Sequence, residues 1–274
     1  MPGADPEASG GAREDLELLV DVARAAGRLS LDWLAKGARA WDKSPNNPVT
    51  EADLAVNDLI RDRLSKVRPG YGWLSEETSD DPANRRQART FVVDPIDGTR
   101  AFVAGEPAFT VSIARLDRRR PVAGVVFNPM TNELFAAAEG AGATLNSQPI
   151  QASTADTLAD SRIIGHADLF ALKAAGNPTP PMQFMRPVPS SLAYRICLAA
   201  CGRWDAAIRL QPTHDWDIAA AVLIHAEAGG TVTDPQGAEL MFNRPRPIHP
   251  GVLAAGAKLH PLLMDRLKRT GRPS

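Results

Sequence analysis

Cysteine is nearly absent, with two residues in a chain of 274, Cys197 and Cys201, set four apart in Ser-Leu-Ala-Tyr-Arg-Ile-Cys-Leu-Ala-Ala-Cys. That spacing puts both on one apolar helix face, where free thiols pack as small hydrophobes. It excludes a disulfide framework and reads as buried thiols rather than a metal or redox pair. Charge of one sign is also missing: 31 Lys and Arg face 32 Asp and Glu, a formal net charge of -1. No global field draws the chain onto nucleic acid or anionic lipid, so an anionic ligand has to be met locally. No apolar run reaches the roughly 18 residues that a membrane-spanning helix needs. The N-terminus Met-Pro-Gly-Ala-Asp-Pro-Glu-Ala-Ser-Gly-Gly has neither a basic stretch nor an apolar one. The expectation is a cytoplasmic protein with a flexible tail over residues 1–13.

Hydrophobic residues at 44% suffice for a sizeable core in one large or two modest domains. Leu16, Leu19, Val22, Ala23 and Ala26 recur at helical spacing and predict a long helix from Glu14 that ends before Gly37. A polar loop, Trp41 to Pro48, and a helix from Ala52 to Val67 follow. Short β-prone runs then succeed one another at 72–74, 91–93, 109–116, 122–127 and 133–137, separated by turns such as Asn128-Pro129-Met130-Thr131-Asn132. Beyond about residue 150, helix and strand alternate: strands at 162–165, 206–210, 231–233 and 251–254, helices at 169–175, 191–201, 217–228 and 260–269. The reading is an α+β chain with an α+β half over 14–150 and an α/β half over 151–274.

The most informative segment is Val93-Asp94-Pro95-Ile96-Asp97-Gly98-Thr99. A β-prone run delivers Asp94, Pro95 fixes the backbone, Asp97 follows three residues later, and Gly98-Thr99 opens a helix. Paired carboxylates at a strand end suit Mg²⁺, a hard cation that prefers oxygen ligands and often shares its site with phosphate. Free N–H groups at a helix start can hold the phosphate itself. Three further acidic places stand in Thr50-Glu51-Ala52-Asp53, Ser75-Glu76-Glu77 and His214-Asp215-Trp216-Asp217. Taken singly, each reads equally as a helix cap or a solvated pair.

Taken in order, Pro-Val-Thr-Glu-Ala-Asp53, Ser-Glu76-Glu77, Asp94-Pro-Ile-Asp97-Gly-Thr99, Trp216-Asp217-Ile-Ala-Ala and Glu227-Ala-Gly-Gly resemble the inositol monophosphatase superfamily of Mg²⁺-dependent, Li⁺-sensitive phosphomonoesterases. The resemblance runs from residue 14 onward. It implies a layered αβαβα sandwich with the site where its two halves meet. It implies Glu76, Asp94, Asp97, Asp217 and the Ile96 carbonyl as ligands to two or three Mg²⁺ ions, with Glu76 also counted among the catalytic groups. Glu77 would support a further ion or its waters, while Asp53 and Thr99 would orient and deprotonate the attacking water. Gly98 and Thr99 N–H groups would steady the phosphoryl oxygens, and Lys43 would ride a loop that closes over them. His214 reads as structural.

Inositol-selective members typically carry a glutamate seven residues before the metal aspartate of the Trp-Asp motif, and here that position is Leu210. Lys43-Ser-Pro-Asn-Asn-Pro, Leu74-Ser-Glu-Glu, Pro189-Ser190-Ser191-Leu192 and Pro212-Thr213 are more similar to the bacterial 3'(2'),5'-bisphosphate nucleotidases. Ser190 and Ser191 are then expected as substrate contacts, and Arg244 and Arg246 as donors to a second phosphate. The alternatives are an inositol 1-phosphate or histidinol-phosphate phosphatase, or a partner of RNA polymerase or ribosomal RNA factors. The expected ligand is a small phosphorylated molecule rather than a nucleic acid, and the helix-rich start allows a homodimer.

Overall fold

Strand alternation builds this molecule in layers. The computed structural model describes residues 6–44, 47–165 and 181–269. Strands β3 (Gly72–Ser75), β4 (Arg89–Asp97), β5 (Thr110–Asp117), β6 (Arg120–Asn128), β7 (Glu133–Ala138), β8 (Ala143–Leu145) and β9 (Gln148–Pro149) lie side by side in that order. The β3–β4 pair is parallel and every other neighbour antiparallel. Phe91, Val93, Val111, Ile113 and Val125 point to one face, where helices α1 (Pro6–Lys36) and α2 (Glu51–Val67) cover them with Leu19, Val22, Val56 and Ile60. Val92, Ala114, Val126 and Ala137 point to the other, onto α4 (Leu192–Ala200) and α5 (Asp215–Glu227).

A second sheet lies beyond those two helices. Its order is β11 (Gln183–Phe184), β10 (Arg162–Ile164), β12 (Ala206–Arg209), β16 (Val252–Gly256) and β14 (Gly230–Thr233). Ile164, Ala207, Val252 and Ala254 face α4 and α5, whereas Ile163, Ala206, Ile208, Leu253 and Ala255 face α6 (Leu259–Arg269). The result is the expected αβαβα sandwich. The central helices come very close to the first sheet because both partners are small: a Cβ on Gly124 would lie 3.0 Å from Ala220 Cα. That approach drives the N-terminus of α5 to the end of β4.

Two details depart from the sequence reading. The Trp41–Pro48 segment is not a loop but a hairpin, β1 (Ala40–Ser44) with β2 (Asn47–Thr50). The first helix starts at Pro6, inside the stretch expected as a flexible tail, and the helix expected at 169–175 falls outside the described residues. Cys197 is buried and unpaired, as is the less buried Cys201. Among the described residues no helix is long and apolar enough to cross a membrane.

Candidate active site

Pro95 breaks the β4 ladder because it has no N–H to give. Asp94 pairs with Ser112 and Asp97 with Thr110, so two residues of β4 stand opposite one of β5. The bulge re-aims the strand end: Asp94 Oδ1 accepts from Ile96 N at 3.1 Å, and the Ile96 carbonyl turns to accept from Thr99 Oγ1 at 3.1 Å. Parallel pairing carries β3 alongside, and Glu76 N donates to Val93 O at 3.2 Å, which sets Glu76 beside Asp94. Asp217 arrives from α5, its Oδ2 accepting from Thr213 Oγ1 at 2.6 Å and His214 N at 2.8 Å. Glu76, Asp94 and Asp217 thus each offer an oxygen within 4.8 Å of the others.

The remaining expected residues divide into those that face the cavity and those that stand behind it. Thr99 Oγ1 donates to Asp53 Oδ1 at 3.1 Å, while Asp53 Oδ2 is held by Thr50 N and Oγ1 at 2.8 and 2.5 Å. Asp97 lines the cavity, but both its oxygens are engaged by the start of α4: Ser191 Oγ at 2.7 Å, Ala193 N at 2.8 Å and Leu192 N at 3.3 Å. It stands outside the cluster of three. Ser190 lines the cavity; Ser191 does not, being fully buried as the N-cap of α4. Gly98 has φ +97°, and a Cβ there would lie 2.9 Å from Ala108 O and Ser191 N, so the turn into the short helix α3 (Thr99–Ala104) requires glycine. Lys43 reaches from the hairpin to Glu77 at 2.6 Å and Glu76 at 3.1 Å. Glu77 lies behind Glu76, nearly inaccessible.

Four carboxylates in one place strain against their own charge. Burial, then repulsion from Glu76, Asp97 and Asp217, pushes Asp94 well above the usual carboxylate range. Burial and Asp217 push Asp97 up to about 7, against the hydrogen bonds from α4. Burial also raises Asp53 and Glu77. Lys43 would be lowered by burial, yet Glu76 and Glu77 raise it instead. Hard oxygen donors crowded beyond what one ammonium can neutralise fit a site for divalent cations.

The cavity holds about 560 Å³, and its other side is basic. Arg209 and Arg100 line it, and Arg209 Nε is buried with no hydrogen-bond partner among the described residues. Behind them Arg195 holds Pro189 O and Ser190 O at 2.5 and 3.1 Å. Burial and the charges of Arg209 and Arg100 lower Arg195 to about 10, against the pull of Asp97. Sequence reasoning missed Arg209, although the β12 alternation contains it: Ala206 and Ile208 face α6, Ala207 faces α4, and Arg209 falls on the Ala207 side. Leu210, at the position of the inositol-selective glutamate, packs in the α6 layer instead. Arg244 and Arg246 are not cavity donors. Arg244 Nη2 is spent on Ile248 O at 2.5 Å and Arg246 is exposed outside the cavity lining. His214 stacks on Trp216 with centroids 4.5 Å apart.

Residues 12–271 match the sequence model of the inositol monophosphatase family. The chain is 33% identical over 240 residues to inositol monophosphatase 3 of Solanum lycopersicum, covering 84% of this chain and 90% of the relative. It is 32% identical over 236 residues to a histidinol-phosphatase of Chlorobaculum parvum, covering 84% and 89%. Among solved structures, the extragenic suppressor protein suhB of Bartonella henselae superposes with a TM-score of 0.77 at 29% identity, over 93% of this chain and 99% of that one.

Proposed function

The chain belongs to the inositol monophosphatase family of metal-dependent phosphoric monoester hydrolases, and from that premise we propose a 3'(2'),5'-bisphosphate nucleotidase that releases phosphate from 3'-phosphoadenosine 5'-phosphate. Glu76, Asp94, Asp217, Asp97 and the Ile96 carbonyl would hold two to three Mg²⁺ ions, with Glu77 behind them. Mg²⁺ there would supply Lewis acidity, lowering the pKa of water and offsetting the charge that develops on the phosphate ester. The chain's own groups do the rest. The Thr99 hydroxyl has only acceptors within its donor reach, Asp53 Oδ1 and Ile96 O, so its oxygen turns a lone pair to the attacking water. Asp53, raised by burial, takes the proton that Thr99 passes on. Gly98 and Thr99 N–H groups and Lys43 steady the phosphoryl oxygens, and Ser190 contacts the substrate. Li⁺ inhibition, a cytoplasmic site of action and a homodimer complete this reading.

The observation that carries the substrate class is Arg209. A buried guanidinium nitrogen with no acceptor costs free energy until an anion arrives, and it shares the cavity with the carboxylates that hold the first phosphate. A substrate with two anionic groups fits both sides. The second reading, inositol 1-phosphate or histidinol phosphate, is favoured by the names of the relatives. The kinship to suhB proteins also keeps a binding role with an RNA polymerase or ribosomal RNA factor in view. The test is phosphate release with Mg²⁺ from the nucleotide, inositol 1-phosphate and histidinol phosphate in parallel. A kcat/KM ratio of about a hundredfold for the nucleotide, roughly 2.7 kcal/mol of transition-state binding, is expected. A preference for either of the other esters sinks the nucleotidase reading and leaves the metal site standing.

A further inference from the structure

β3 is the edge strand of its sheet, so the backbone leading to Glu76 is laddered on one side only. Asp217 comes from another element altogether, and the two carboxylates repel each other. Something else must hold them together. Four residues after Glu76, Asp80 takes a bidentate pair from Arg85, 2.6 Å at each oxygen. Arg85 is almost completely buried, and its three other N–H groups go to Asn243 Oδ1, Arg244 O and Pro245 O at 3.2, 2.7 and 3.1 Å. All five guanidinium donors are used. Asn243 Nδ2 returns a bond to Arg85 O at 3.0 Å.

The same strap, residues 242–249, grips the start of α5. Asn243 N donates to Asp215 Oδ2 at 2.6 Å, and His249 Nε2 meets Asp215 Oδ1 at 2.8 Å. Asp215 N donates to Pro247 O at 3.0 Å, and the short strands β13 (Thr213–His214) and β15 (Ile248–His249) pair beside it. Asp215 is fully buried and stands two residues before Asp217. A hydrogen-bonded path therefore runs from Asp80 through Arg85 and Asn243 to Asp215, and the chain itself joins its ends to Glu76, four residues before Asp80, and to Asp217, two residues after Asp215.

We propose that Arg85 and the Asp215–His249 pair are positioning residues that, through the 242–249 strap, hold Glu76 and Asp217 at cation-binding separation. The inference rests on the metal reading above and adds residues that touch neither substrate nor cation. Outer groups that orient ligands typically carry tenfold to a hundredfold in metal affinity. The measurement is Mg²⁺ binding to the full-length, metal-stripped protein by titration calorimetry, with circular dichroism as the check on folding. Arg85→Met and His249→Phe are each expected to weaken the Mg²⁺ Kd about tenfold, with kcat at saturating Mg²⁺ within about threefold of wild type. The double variant is expected to lose less than the two single effects combined, because both loosen the one 242–249 strap. If Arg85→Met fails to fold, Asp80→Asn, which loosens the same tie and leaves the strap bonds intact, decides the matter. An unchanged Kd in whichever of these variants folds overturns the proposal. A wild-type chain that binds no Mg²⁺, or whose binding survives Asp94→Asn, overturns the metal reading and this inference with it.

Discussion

On one side of the cavity Glu76, Asp94 and Asp217 crowd their oxygens within 4.8 Å; the other is lined by Arg209 and Arg100, with Arg209 Nε lacking a hydrogen-bond partner among the described residues. Asp205 resists the upward push of burial because Arg162 and Ser153 satisfy it, and it ends below the usual carboxylate range. That charge is compensated within the chain, whereas in the proposed function ligands compensate the two walls: cations on one side, a second anionic group on the other. The largest effect therefore comes from breaking the acidic wall. Asp94→Asn or Asp217→Asn should lower Mg²⁺-dependent kcat/KM at least about a thousandfold, since several kcal/mol of charge stabilisation is lost. Thermal unfolding of the metal-free variants should stay cooperative. Turnover near wild type in either would remove that residue from the ligand set.

The proposed proton path runs through Asp53. Asp53→Asn is isosteric, can keep the Thr50 contacts through its amide oxygen, and removes the proposed base, so kcat should fall roughly a hundredfold to a thousandfold with little change in KM. A change confined to KM would reassign Asp53 to binding. Breaking the basic wall gives a smaller and more selective effect. Arg209→Met should cost about a hundredfold in kcat/KM for 3'-phosphoadenosine 5'-phosphate, the worth of a charge-assisted bidentate contact, and less than about threefold for inositol 1-phosphate. Equal losses on both esters would show that Arg209 serves the cavity rather than the second anion.

The two walls also differ in how legible they were. The acidic wall is written in short runs, Asp94-Pro-Ile-Asp97-Gly-Thr99 above all, because a strand end, a prolyl bulge and a helix start must follow one another within a few residues to aim those groups. Asp97 belongs to the same run, but the run does not show that Ser191 and the first N–H groups of α4, from another part of the chain, also bond its oxygens, leaving Oδ1 the freer of the two. The basic wall has no local run. Arg209, Arg195 and Arg100 come from β12, α4 and α3, and only packing brings them together. Most helices and strands were readable from alternation and helical spacing, whereas their stacking into five layers was implied only by the family resemblance. The β1–β2 hairpin was not readable, because Pro45 and Pro48 carry loop signals and every residue of β1 is exposed, leaving no buried face to mark it.

Acid separates wall chemistry from the frame that carries it. In the metal-free protein, burial and Asp217 raise Asp97 to about 7, so protons compete with Mg²⁺ below that pH and Mg²⁺ affinity should fall with acid before the fold does. The fold's own acid limit lies eight residues along α5 from Asp217, at His225, which is completely buried against Ala255 O at 3.1 Å and lowered by burial to about 4. Because this folded-state pKa lies below the ordinary value of 6.5, the unfolded chain takes a proton that the folded chain refuses. Stability that is fully present above about pH 6.5 is then lost as pH falls toward about 4. At pH 5 the loss from this one group is about 2 kcal/mol. His225→Gln can keep a donor to Ala255 O without titrating. Urea unfolding at pH 7 and pH 5 should therefore show a wild-type decline steeper than the variant's by about that amount. Carboxylates common to both proteins cancel in the difference. Parallel declines would mean that His225 takes up its proton in the folded protein as it does in the unfolded chain, and that the acid limit lies at other groups than the wall carboxylates, whose raised pKa makes acid relieve rather than create their repulsion.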